Sequence, residues 1–343
     1  MSCTRERVRG FVLSATLLAL AITTVVIAYF FDRASAALRV AQARAAAVDA
    51  RLGMLDTQAE VLYALATTYA MPRGAQVGAV TLYMDDRAYR AERDTRVSLQ
   101  DAAGLFSLNA FTDESMSRLL RAFGAPSDQI PTLIDTLKDY VDPDNLKRLN
   151  GAEAFEYAAT GMVPPRNEPL KVPFEVRNVY GWSSRRELWG QRGFEASTTT
   201  AQVAGFNPNT APSHVLQAML AVTPEGASRL MALRDSLVIA ERAVIDVGGQ
   251  FSHFTGLPII VSPAPSVRIT QWSPGSRVRL RQLVTMTPLS PAAPWRVDYQ
   301  YRIVSPEAEF PIVETETPQL PLRRSDAPAP APLSPFGGPP GGG

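Results

Sequence analysis

One stretch near the start limits what this chain can become: "FVLSATLLALAITTVVIAYFF", residues 11–31, has no charged side chain. At a helical rise of about 1.5 Å per residue its 21 residues reach roughly 32 Å, which matches a hydrocarbon core of about 30 Å. A secretory signal has a shorter apolar region, of about 7–15 residues, followed by small residues at a cleavage site. Here the run ends in Tyr29, Phe30 and Phe31, aromatic side chains that suit the membrane interface. Arg5, Arg7 and Arg9 precede it, which places the N-terminus in the cytoplasm and everything after Asp32 outside the inner membrane. The sequence therefore predicts a retained single-pass anchor.

The helical pattern does not stop at the membrane. Leu38, Ala41, Ala45, Val48, Leu52, Leu55, Ala59, Leu62 and Ala66 alternate spacings of three and four, an apolar seam along one helix face. Only Gly53 interrupts strong helix formers, and Pro72, Arg73 and Gly74 end them. From residue 11 to residue 66 such a rod would be about 84 Å long. A seam rich in alanine suits close packing against a sheet or neighbouring helices. Leu38, Val48, Leu52, Leu55 and Leu62 are its candidate partner-binding residues.

Composition narrows the function classes. The 343 residues are 46% hydrophobic and 20% charged, enough for about two globular domains, and the net charge of +1 provides no field that would gather nucleic acid. Cys3, the only cysteine, precedes the apolar run, so disulfides do not hold the fold. His214 and His253 have no partner cysteines and no zinc spacing, and read as surface or capping residues. No G-x-S-x-G, G-x-x-x-x-G-K-[ST] or G-x-G-x-x-G occurs, so no nucleophile, base or phosphate loop can be named and the chain does not read as an enzyme.

After the rod, residues 77–83 and 95–100 read as short strands. Met116, Leu119, Leu120 and Phe123 then share a helix face, with Thr112 as N-cap and Gly124 as stop. Ile130, Leu133, Ile134 and Leu137 make another, ended before Pro143. A further helix pair follows Thr210 and Thr223, each with a proline within two residues of the start. Strand alternation returns at 277–287 and 295–304. Strands, helices and strands again predict an α+β chain with an inserted all-helical domain. The expected divisions are a leader at 1–10, a transmembrane helix at 11–31, the amphipathic helix and first strands at 32–100, the helical insert at 101–262 and returning strands at 263–317. Half of residues 318–343 are proline or glycine, which predicts a disordered C-terminal tail.

A basic leader ending in Gly10, an aromatic Phe11 after it, and an apolar helix running into an amphipathic one resemble a type IV pilin-like prepilin. The resemblance implies cleavage between Gly10 and Phe11 by a prepilin peptidase, methylation of the new N-terminus, and retention of the helix as anchor and filament core. Most such proteins carry Glu five residues after the cut. Ala15 stands there, as in the minor pseudopilin K family of the type II secretion system. Three blocks resemble the same family in order: "DAAGLFSLNAF" at 101–111, "DYVDPDNLKRLNGAEAFEY" at 139–157 and "FNPNTAPSHVLQAML" at 206–220. Tyr140 departs from the family's usual Trp, and Ala154 from its usual acid. The family implies a type IV pilin-like fold with a SAM-like or helix-hairpin-helix-like insert, a bulk domain in the periplasm, and a place at the pseudopilus tip with minor pseudopilins I and J, supporting export across the outer membrane.

Two segments keep alternatives open. Asp142, Asp144 and Glu153 stand at the first, third and twelfth positions of an EF-hand-like spacing, but Lys147 occupies the glycine position and Leu146 replaces a ligand. The loop either wraps calcium in another geometry, as the family's calcium-binding domain implies, or only terminates one helix at Asp142 and starts another at Glu153. The stretch 209–234 resembles a helix-hairpin-helix, which would suit a pilin-like component of a type IV pilus or DNA-uptake machine. Glu225 in the hairpin would repel phosphate, only Gly226 remains of a Gly-x-Gly turn, and Arg229 and Arg234 are too few for counterion release, so no nucleic-acid partner is expected.

Overall fold

The structure, a computed structural model, describes residues 9–190, 193–247, 258–304 and 318–321. Cys3 and the rest of the leader up to residue 8, His253, and tail residues 322–343 lie outside the described residues. Helix α1 (Arg9–Thr67) has no proline after its start, and the sequence permits it to run without a break. The chain forms two compact units, Met1–Asp56 and Thr57–Gly343. The first consists of α1 up to Asp56.

The second unit begins with the last turns of α1 and a small meander, β1 (Tyr69–Met71), β2 (Gly74–Val77) and β3 (Val80–Tyr83). The strand expected at 77–83 is therefore two strands. Gly78 sits at φ +59° between paired Val77 and Val80, a conformation open to glycine at a tight hairpin. The main sheet is antiparallel, in the order β10-β9-β8-β5-β4, from β4 (Asp85–Arg90), β5 (Arg96–Asp101), β8 (Ser266–Trp272), β9 (Val278–Met286) and β10 (Trp295–Val304). β8 is a strand not named from the sequence, although Val267 and Ile269 alternate with Ser266, Arg268 and Thr270; all seven of its residues are buried.

Residues 102–265 leave and rejoin this sheet between two strands that are direct neighbours. β5 and β8 pair in register from Arg96 with Trp272 to Asp101 with Val267, as the two arms of one hairpin would. Among the described residues the inserted segment holds helices joined by irregular stretches, with one short strand pair, β6 (Phe106–Ser107) and β7 (Thr198–Thr199), in parallel. Its helices are α2 (Asp113–Ala122), α3 (Ile130–Val141), α4 (Ala154–Ala159), α5 (Ser213–Leu220), α6 (Pro224–Leu233) and α7 (Glu241–Asp246). Thr112 caps α2 in a reciprocal capping box with Ser115, and Gly124, at φ +86°, follows its end. Thr223 caps α6 as expected, whereas α5 starts after Pro212 because the Thr210 hydroxyl is engaged elsewhere. Ala221 takes the left-handed conformation at the end of α5, where a Gly-x-Gly hairpin would place glycine. His214 stacks on Phe123 with ring centroids 4.4 Å apart.

The insert has its own apolar core, built on Trp182, Phe194, Tyr157, Leu119, Leu137 and Leu216. The body that holds the main sheet has another, in which Val61 and Leu62 of α1 meet Val97, Leu99, Ile269 and Val284 of the sheet. Disorder expected from residue 318 onward does not extend to the first residues of the tail. Arg90 N–H donates to Pro318 O and Leu320 N–H to Arg90 O, both at 2.8 Å, and Leu320 is buried in the body core. A free strand edge and a vacant apolar position outweigh the local proline content.

Candidate functional site

Between residues 11 and 31 the helix presents apolar side chains outward all round. Its few polar groups turn back on the helix: Ser14 donates to Phe11 O, Thr16 to Leu13 O, Thr23 to Ala19 O and Thr24 to Leu20 O, at 2.8–3.0 Å. That is what a hydrocarbon environment requires of hydroxyls. Among the described residues this is the one helix long and apolar enough to cross a membrane. Gly10 lies in its first turn and Phe11, beside it, is exposed.

Leu38, Val48, Leu52 and Leu55 are exposed along the first unit. Leu62 is a correction, because it is only 3% exposed and belongs to the body core. Within the second unit the helix face turned into the core is Thr57, Val61 and Ala64, while Ala59 and Ala66 stay exposed. At 3.6 residues per turn those two sets lie on roughly opposite sides of the helix. Within the second unit the seam therefore splits, with Leu62 in the core and Ala59 and Ala66 outside it.

Where the insert joins the body, one carboxylate holds four strands of chain together. Asp101, at the end of β5, has no solvent exposure. Its Oδ1 accepts from Ala103 N–H at 2.9 Å and Ala264 N–H at 2.8 Å, and its Oδ2 from Asn207 Nδ2 and Thr210 Oγ1, both at 2.9 Å. Burial pushes this carboxyl above its ordinary range while the four donors pull it back. Asn207 also donates to Pro72 O, and its Oδ1 accepts from Asn209 N–H and Nδ2. Asn209 in turn brackets Ile239 through the latter's N–H and C=O. A Cβ on Gly104 would come within 2.5 Å of Thr210 Oγ1 and 2.9 Å of Thr210 C, which explains the small residue in this block. Asp101, Asn207 and Asn209 were not singled out from the sequence, although they lie inside the quoted blocks, and Thr210 reads there only as a helix start. Their spacing of about a hundred residues has no local signature.

The acidic loop follows α3. Buried Asp139 accepts from Arg148 Nη1 at 2.7 Å and from Arg148 N–H at 3.2 Å, and Gly151 is needed there because a Cβ would fall 1.8 Å from Asp139 Oδ2. Arg148 also pairs with Asp142, the residue that ends α3. Asp144 Oδ1 accepts from Leu146 N–H at 2.8 Å, an Asx turn. Glu153 stands at the N-cap position of α4, and its N–H donates to Glu156 Oε2 at 3.0 Å. Both helix-end roles are thus filled. Yet Glu153 is 6% exposed and neither of its carboxylate oxygens has a hydrogen-bond partner; Asp142 Oδ1 and Asn167 Oδ1 are orphaned in the same way. Burial first, then the charges of Asp139, Asp142, Asp144 and Glu156, push the Glu153 carboxyl up to about 7. Among the described residues no three His, Cys, Asp or Glu side chains stand as a ready metal cluster. The orphaned oxygens are all hard acceptors without a hydrogen-bond donor, the atom type that oxygen-bound cations take.

Residues 96–189 match the family described as type II secretion system (T2SS), protein K. No curated protein matches the chain. Among solved structures, the chain is similar to one in the crystal structure of the GspK–GspI–GspJ complex from the enterotoxigenic Escherichia coli type 2 secretion system. The identity is 15%, the match covers 74% of this chain and 97% of that one, and the TM-score is 0.49.

Proposed function

We infer that the chain is a minor pseudopilin K of the type II secretion system, and that it works by assembly rather than catalysis. The observation that carries this is the protein K match itself, which starts at the first residue of β5 and covers Asp101 and the acidic loop. A membrane-length helix ahead of a body interrupted by a helical insert supports the same reading.

On this reading a prepilin peptidase cuts between Gly10 and Phe11, and the helix stays in the inner membrane with the body in the periplasm. The exposed seam residues Leu38, Val48, Leu52 and Leu55 pack against the helices of minor pseudopilins I and J. The chain then sits at the pseudopilus tip, where a large insert obstructs no subunit above it. Ala15 suits that place. In other pilins an acid there neutralises a neighbour's N-terminal amine in the apolar membrane, and a terminal subunit has no such neighbour to serve. Association with I and J tests the reading.

The acidic loop adds calcium. Asp142, Asp144 and Glu153 would hold the ion, with Asn167 Oδ1 as a further oxygen, and the bound cation would offset the crowded carboxylates. Asp142 would have to be shared with, or released by, Arg148. A ligand bound only by the folded state adds about 2.7 kcal/mol at a hundredfold excess over Kd. The melting temperature should therefore rise with millimolar Ca²⁺, rise less with Mg²⁺, and fall back when a chelator is added. Glu153→Gln should remove the rise. No calcium-dependent shift in the parent, or one that survives Glu153→Gln, would leave the loop with helix-end chemistry alone.

A further inference from the structure

The insert and the pilin-like body share only a small apolar surface. Each has its own core, and among the described residues the apolar contact between them is one cluster: buried Ala102, Ala201, Leu283 and Tyr299, with part-buried Val172, Val203 and Tyr301 packed against it and Phe174 beside Tyr301. Around that cluster the contact is charged or polar in two places flanking the Asp101 crossover.

The first is built around Asp85 at the start of β4, whose side chain is 3% exposed. Arg87 grips it with two bonds, Nε to Oδ1 at 2.7 Å and Nη2 to Oδ2 at 2.6 Å. Arg73, between β1 and β2, approaches Oδ2 at 3.4 Å, and the guanidiniums of Arg87 and Arg73 cover the Tyr83 ring at 3.9 and 4.7 Å. Into this nest the insert sends the residues just after α6. Arg234 Nη2 comes to 3.9 Å of Asp85, Asp235 pairs with Arg73 at 2.8 Å, and Arg73 Nη1 donates to Arg234 O at 2.9 Å. Three guanidiniums thus depend on one buried carboxylate and one exposed one. Burial alone would raise the Asp85 carboxyl, but Arg87, Arg234 and Arg73 hold it below its ordinary value, so it keeps its charge. The second place lies on the sheet face toward the insert: Arg268 donates to Ala196 O at 2.7 Å, and Glu195 meets Arg281 at 3.6 Å and the Tyr301 hydroxyl at 3.3 Å.

We propose that the insert is a separable module, clamped on the pilin-like body by the Asp85 and Glu195 ion clusters and able to pivot about the Asp101 crossover when the Asp85 clamp opens. Its orientation is set more by these charges than by the small shared apolar cluster. Interfaces of this polar kind within one chain permit relative motion of the parts they join. A tip subunit so built can change the direction of its insert without unfolding either core.

The test uses the full chain in detergent with Cys3→Ser, which leaves no native thiol. Spin labels go on Ala79→Cys in the body and Ser228→Cys in the insert, both exposed positions. The parent should give one narrow distance distribution. Asp235→Lys puts a fourth cation beside the nest and should increase the undocked population on the order of tenfold, with helix content unchanged. Asp85→Asn should do the same more strongly. Asp235 is 71% exposed and belongs to neither core, so its variant folds even if Asp85→Asn does not. A distribution in Asp235→Lys as narrow as the parent's overturns the proposal.

Discussion

Replacing Asp101 with alanine should leave the region from Thr57 onward unable to hold its fold. Four donors lose their acceptor at once: the Ala103 and Ala264 amides, the Asn207 side chain and the Thr210 hydroxyl. A buried donor left unpaired costs about 1–3 kcal/mol, so the sum exceeds about 4 kcal/mol. Whole domains are stable by about 5–15 kcal/mol. The loss also falls where β5, the start of the insert, the Asn207–Thr210 turn and the return to β8 are joined, so it disconnects the parts as well as weakening them. Asp101→Asn should be nearly as severe, because the amide keeps one accepting oxygen but turns its NH₂ toward two donors. Thermal melts followed by circular dichroism measure this. A melting temperature equal to the parent's in either variant would mean the donors find other acceptors.

The second large effect is on processing. The peptidase site proposed to act after Gly10 has to admit a residue with no side chain, immediately ahead of an apolar helix that stays in the membrane. Gly10→Val should block the cut, so that the membrane-extracted protein keeps residues 1–10 and the unmodified N-terminus. The parent should begin at Phe11, with the mass of one added methyl group. Mass spectrometry of both proteins gives the answer. A parent that begins at Met1 or Ser2, or a Gly10→Val chain processed like the parent, contradicts the assignment.

The parts of the fold that were legible in the sequence carry local patterns. The membrane helix shows in an uncharged run, α2 in the Thr112 cap and the spacing of Met116, Leu119 and Leu120, and β9 and β10 in their alternation. β8 was missed although Val267 and Ile269 alternate with Arg268 and Thr270, because the alternation breaks at Gln271 and spans too few residues, and β4 because four of its six residues are charged. The seam was visible, but which side of the helix faces the chain's own sheet was not. Alanine and leucine suit either partner, and only the burial of Thr57, Val61 and Ala64 decides it. The acidic loop was recognised by its carboxylates, yet Arg148, which neutralises two of them, and Asn167, which adds an orphaned oxygen, were not. The Asp101 crossover and the Asp85 cluster are products of tertiary folding. Their members lie far apart along the chain, and nothing local to any one of them points to the others.

Association with minor pseudopilins I and J measures the proposed K-subunit role most directly. The region from Asp32 onward, mixed at micromolar concentration with the corresponding regions of minor pseudopilins I and J from the same secretion system, should elute from a sizing column as one species containing all three. Leu52→Asp and Leu55→Asp should weaken that species while leaving the chain folded, since both side chains are exposed in the chain alone and an unpartnered carboxylate buried at an interface is costly. Three separate monomer peaks for the parent proteins would contradict the account.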